Sequence, residues 1–247
     1  MRKLKRIIVL TLVLALVASC LASCGIGKNP DKLIEKAEQA LNEESYSMEM
    51  RIKYESDYDE MRDAIGKFSN PSINVKVNED KFSADMTLKH GSEQNYLRYT
   101  YVDGVLYTEW QEGEVTVKEN VEYSKDDREA LKATLGEGAS IGPEDFEEIT
   151  SEGLGKVSLL TCKKIKKEAL FALIDSLKAE FDAASIEADV AIKDATLQIN
   201  VEDGKYTIAI LTCEYYITTE LDTYSIIMTH STKFTYGDVE VTAPSFD

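Results

Sequence analysis

The chain has 247 residues with a formal net charge of −17, and hydrophobic residues make up 43% of it. That apolar content is enough for a real core and excludes wholesale disorder, while the acidic balance repels both nucleic acid and anionic lipid headgroups. The length, less a short N-terminal leader, suits one domain or two small ones.

The leader opens with Arg2, Lys3, Lys5 and Arg6, continues as an apolar run from Ile7 to Val17, and ends in small residues. A basic start, a short apolar stretch and small residues before a break predict an export signal rather than a spanning helix. Leu21-Ala22-Ser23-Cys24 resembles a bacterial lipobox, in which the cysteine is diacylated and the chain is cut just before it. Val17-Ala18-Ser19-Cys20 is a second match; Gly25 after the cysteine and Leu21 three before it favour Cys24. An ordinary secretory signal with an incidental cysteine is the alternative. Residues 1–23 are thus expected to be a lipoprotein signal, 24–29 a short tether, and 30–247 a single domain. The signal carries four positive residues and no acidic ones, so its removal takes the charge from −17 to −21. A domain so acidic is expected to be held at the membrane by its lipid alone, extracytoplasmic, and as a monomer.

Asn29 followed by Pro30 predicts a helix start, and Leu33, Ile34, Ala37, Ala40 and Leu41 continue it on one face. The period then changes to two. Tyr46, Met48, Met50, Ile52 and Tyr54 alternate with polar residues, which predicts a strand with one apolar face. Residues 57–70 suggest a small helical insertion. Alternation resumes over 73–77, 82–88, 96–102, 105–110 and 115–121, with Asp103-Gly104 a strong hairpin signal. Ser124–Leu135 reads as a helix. A short strand at Phe146 to Ile149 and another at 157–162 precede the longest helical stripe, Leu170, Leu173, Ile174, Leu177 and Phe181 within Lys167–Ala184. Strands are expected at 186–192, 195–201, 206–218, 224–236 and 239–241, with Asp203-Gly204 forming another hairpin turn.

Gly138-Ala139-Ser140-Ile141-Gly142 matches the G-x-S-x-G nucleophile pattern of serine hydrolases. That elbow needs a buried strand before the serine and a helix after it, whereas a helix precedes and Pro143-Glu144-Asp145 follows. No His-x-x-x-His, Cys-x-x-Cys or acidic calcium loop occurs, so no catalytic, metal or cofactor set is predicted. His90 belongs to a turn. His230 shares strand parity with Ile226, Met228 and Phe234, which predicts an apolar-facing imidazole that needs a partner. Cys162 and Cys213 either pair, as an exported protein would allow, or stay as two buried thiols in strands.

Met48, Met50, Ile52, Phe82, Met86 and Leu88 share one face if their strands pair as hairpins. Methionine suits irregular core gaps and adaptable apolar surfaces alike. With the signal, the Asp31–Ala37 helix, Ser45-Tyr46-Ser47-Met48-Glu49-Met50, the hairpin Tyr101–Tyr107 and the ending Tyr236–Pro244, the chain resembles the LolA-like lipoproteins. These include uncharacterised Gram-positive lipoproteins and, more distantly, the LppX and LprG group. The resemblance implies an α+β fold: a strongly curved antiparallel half-barrel with a few helices packed on its concave face. It also implies a non-enzymatic protein that holds a lipid or other hydrophobic ligand between sheet and helices. On that reading Met48, Met50, Ile52, Phe82, Met86, Leu88, Leu170, Leu173, Ile174 and Leu177 line the cavity. The alternative is a cell-envelope interaction or sensor module that binds a membrane-protein partner and has no open cavity.

Overall fold

The computed structural model describes residues 29–56, 58, 72–90, 93–112, 114–124, 141–154, 156–171, 174–175, 178, 189–219 and 222–245. The expected signal, tether and Cys24, the insertion at 57–70 (Tyr58 apart), nearly all of the 124–135 helix and the Ser140 motif up to Ser140 itself lie outside these residues. Among the described residues no helix is long and apolar enough to cross a membrane.

Helix α1 (Pro30–Glu43) starts where the cap signal places it. Asn29 Oδ1 accepts a hydrogen bond from the Asp31 N–H at 2.9 Å, and Pro30 fills a position whose N–H would be idle. Leu33, Ala37 and Ala40 form its buried face. Replacing the cap, Asn29→Ala, is expected to cost about 1 kcal/mol. A thermal melt should then shift down by roughly 3 °C, with strand content unchanged.

Eleven strands follow: β1 (Tyr46–Ser56), β2 (Ser72–Asn78), β3 (Lys81–His90), β4 (Glu93–Val102), β5 (Val105–Glu112), β6 (Val115–Glu122), β7 (Phe146–Leu154), β8 (Val157–Ile165), β9 (Asp189–Glu202), β10 (Lys205–Thr218) and β11 (Thr223–Tyr236). They form one sheet in the order β6-β5-β4-β3-β2-β1-β11-β10-β9-β8-β7, antiparallel throughout. Two meanders, β1–β6 and β7–β11, therefore join where the first and last strands pair. That seam runs from Tyr46 opposite Tyr236 to Ser56 opposite Ile226.

This corrects the expected α+β half-barrel. The chain is dominated by an open eleven-stranded sheet, with β6 and β7 at its edges, and not by helices packed on a concave face. The fully described helices are α1 and a three-residue 3-10 turn, Pro143–Asp145. The physical reason lies in the strands themselves. Strands β9, β10 and β11 each run 14 residues, which commits most of the C-terminal part of the chain to the antiparallel ladder.

The hairpin signals hold. Asp103 and Gly104 both take positive φ (51° and 84°), as do Asp203 and Gly204 (52° and 78°), the geometry of a two-residue type I′ turn. Two boundaries differ from expectation. The two strands expected at 186–192 and 195–201 are one continuous strand, β9. Opposite it the register shifts between Glu214 and Tyr215, so Lys193 is the extra residue of a bulge and the alternation reads as a break. Residues 239–241 are not a strand. Asn78 holds that tail instead: its Nδ2 donates to the Val239 carbonyl at 2.7 Å, while Ser45 Oγ donates to its Oδ1 at 2.9 Å.

The main core lies on the β7–β11 half of the sheet. Leu160, Cys162, Leu197, Ile199, Leu211, Cys213, Tyr215 and Met228 pack there with Leu33 and Ala37 of α1. A second cluster of Val77, Phe82, Tyr101 and Leu106 sits on the other half. Every strand and both clusters fall between residues 29 and 245, so a chain cut after Cys24 keeps all of them.

Candidate functional site: an apolar row across the sheet

Alternation gives each strand one apolar face, and the register decides which residues of different strands stand side by side. One cross-strand row can be followed through all eleven strands. It runs from Ser151 through Leu160, Ile199, Ala209, Thr232, Met50, Ile73, Met86, Leu97 and Trp110 to Val117. Met48, Val75, Ala84 and Tyr99 form the next row, and Tyr46, Val77, Phe82, Tyr101 and Leu106 the one after it.

Burial changes along the central row. Leu160 (0% exposed) and Ile199 (4%) are closed off within the main core. Met50, Ile73, Met86, Leu97, Trp110 and Val117 are only half-buried. The opposite face of the same strands is polar: Arg98 on β4 hydrogen-bonds Asp85 on β3 and lies 3.6 Å from Glu109 on β5. At such exposure those ion pairs contribute little to stability, but they mark that part of the face as solvated. That face is not solvated throughout, since Thr100 and Val102 on it are buried.

The expected lining residues separate under this geometry. Met48, Met50, Phe82 and Met86 share one face of β1 and β3, as their parity predicts, with Phe82 buried in the smaller cluster. Ile52 lies on that face too, but packs against the main core. Ile174 also packs there, and Leu170 is half-buried. Leu88 is in β3, with its side chain outside the described residues, and Leu173 and Leu177 lie outside them altogether. Ile73, Leu97 and Trp110 were not among the expected lining residues. Their alternation was visible, but placing them beside Met50 and Met86 required the register of four strand pairs.

His230 faces the apolar side, as its parity predicts, opposite Ile52 on β1 and Leu211 on β10. Its Nε2 is buried without a hydrogen-bond partner, and desolvation lowers its pKa below the usual histidine value. The imidazole is therefore neutral at pH 7. The Tyr206 hydroxyl is likewise buried and unpartnered, with its pKa raised by burial.

Of the two arrangements expected for Cys162 and Cys213, the structure has the unpaired one: both are free and fully buried. Cys162 stands opposite Leu197 on β9, and Cys213 opposite Ala195 on the same strand. A whole strand thus lies between the two sulfurs. Two strand spacings are about 10 Å, beyond the Cα separation of about 7 Å that a disulfide tolerates.

Ile141 and Gly142 lead directly into the 3-10 turn and then into β7. A nucleophile elbow needs a helix at that point. Among the described residues no group of His, Cys, Asp or Glu is placed to hold a metal ion.

No family description matches the chain. No curated protein matches it either. Among solved structures it shows a faint likeness to the ywiB protein of Bacillus subtilis, at 8% identity over 77% of this chain and 91% of that one, with a TM-score of 0.19. A GphF dehydratase variant gives 8% identity, 81% coverage of each chain and a TM-score of 0.13. Likenesses of that size bear on neither the fold nor the activity.

Proposed function

We propose that this chain is a membrane-anchored, extracytoplasmic lipoprotein, non-enzymatic, that holds a lipid or other hydrophobic molecule on the apolar face of strands β1–β6. The observation that carries this reading is the row Met50, Ile73, Met86, Leu97, Trp110 and Val117. It continues, residue for residue, a row that closes at Leu160 and Ile199 on the other half of the sheet, yet it is itself only half-buried along its whole length. A half-open apolar strip with two methionines in it suits a flexible, chain-like hydrophobic guest. The lipobox-like Leu21-Ala22-Ser23-Cys24 supports a location where such molecules are abundant.

The test is native mass spectrometry of the chain beginning at Gly25, which lacks the anchor, first as purified and then offered lipids. Retained or added lipid is expected, and Met86→Asp is expected to abolish it by placing a charge in the middle of the row. A chain that stays at its bare mass with every lipid offered overturns the reading. A defined membrane-protein partner recovered by cross-linking from such a lipid-free chain would instead make it an interaction or sensor module.

A further inference from the structure

An apolar strip selects for hydrophobicity and for little else, so polar atoms on it carry whatever discrimination it has. At the β11 end of the central row the strip changes character. Thr232 is directly opposite Met50, and His230, two residues earlier on the same face, is opposite Ile52. Five strand steps separate Thr232 from Trp110 on β5, about 24 Å at the usual spacing between strands. That is the reach of a long acyl chain laid across the strands. At its β11 end waits a buried imidazole nitrogen with no partner.

We propose, on the basis of the reading above, that His230 holds the head of a single-chain amphiphile whose tail lies along Met50, Ile73, Met86, Leu97 and Trp110. The head is uncharged and bears a hydroxyl, as in a monoacylglycerol or a fatty alcohol. A hydroxyl donates and accepts, so it satisfies Nε2 in either tautomer of the neutral imidazole. A carboxylate head only accepts, and among the described residues of this face in β1, β10 and β11 no lysine or arginine stands near His230 to neutralise it. The chain's charge of −17 opposes an anionic ligand further.

The experiment uses the chain from Gly25, with Trp110 as reporter, because it is the only tryptophan in the sequence. Monoolein, oleate and 1-octadecene are each delivered from cyclodextrin, and the shift of Trp110 emission is followed alongside native mass spectrometry. Monoolein is expected to bind with a shift to shorter wavelength, and oleate about tenfold more weakly, a factor that one net hydrogen bond supplies. His230→Leu is expected to weaken monoolein about tenfold while leaving 1-octadecene uptake intact, which also shows that the variant folds. His230→Gln, which keeps a donor and an acceptor, is expected to recover most of the loss. If His230→Leu binds monoolein as well as the parent does, or if oleate binds the parent more tightly than monoolein, the head contact is overturned and the apolar strip stands. If none of the three ligands binds the parent, the strip reading falls as well.

Discussion

Leu160→Ala is expected to cost about 3 kcal/mol of folding stability, the usual loss for emptying a fully buried leucine site. Leu160 is 0% exposed, stands opposite Ile199 on β9, and belongs to the core that joins α1 to strands β7–β11. Backbone hydrogen bonds of the sheet hold the surrounding strands in place, so the cavity cannot simply collapse. A calorimetric melt should fall by roughly 9 °C. The comparison that gives this number its meaning is Met86→Ala, in the same cross-strand system but only half-buried. Its cost is expected to be about 1 kcal/mol, because part of that side chain's surface is already outside the core. Equal losses at the two positions would show that the β1–β6 strip is closed and that no guest has room there.

The second large effect concerns the thiols. Burial pushes Cys162 up to about 11 and Cys213 up to about 12, from an ordinary 9.0, with smaller contributions from Glu144 and Asp194 respectively. At pH 8 the reactive thiolate of Cys162 is therefore about a hundredfold scarcer than in an unfolded chain, and that of Cys213 about a thousandfold. Labelling of the native Gly25 chain with a thiol-specific disulfide reagent should be slower by at least these factors, and denaturant should release both sites together. No loss of two hydrogens should appear in the intact mass under oxidising conditions, since β9 separates the sulfurs. The same shifts give a sign for alkaline stability. A thiol whose folded pKa is raised contributes fully below the unfolded value of 9.0, and that contribution drains away as pH climbs through 9.0 towards the folded values. Replacing both cysteines by alanine should flatten that alkaline decline while lowering stability at pH 7.

Much of the local structure was legible in the residues. Asn29-Pro30 announced α1, the even-numbered residues from Tyr46 to Tyr54 announced β1, and the two Asp-Gly pairs announced their turns. Each of these signals is short-range: a cap bond, an alternation of side chains across a pleat, or a residue that tolerates positive φ. His230 was placed on the correct face by parity alone. The errors had equally particular causes. The break read between Ile192 and Ala195 was a bulge, where one added residue interrupts the alternation without ending the strand. The half-barrel with helices on its concave face came from a likeness of pattern, and a pattern of alternating strands is common to many sheets.

The sequence by itself determined the acidic balance of the chain, the apolar face of each strand and the turns between neighbours. Tertiary structure alone decided that β1 pairs with β11, which joins two meanders into one open sheet and puts Thr232 beside Met50. It also decided that Cys162 and Cys213 stand two strands apart, and that the central row is closed at Leu160 and Ile199 but half-buried from Met50 to Val117. The reason is physical. Pairing between distant strands is made by backbone N–H and C=O groups that are alike in every residue. Its register is selected only by the collective fit of whole faces, which no single stretch of the chain encodes.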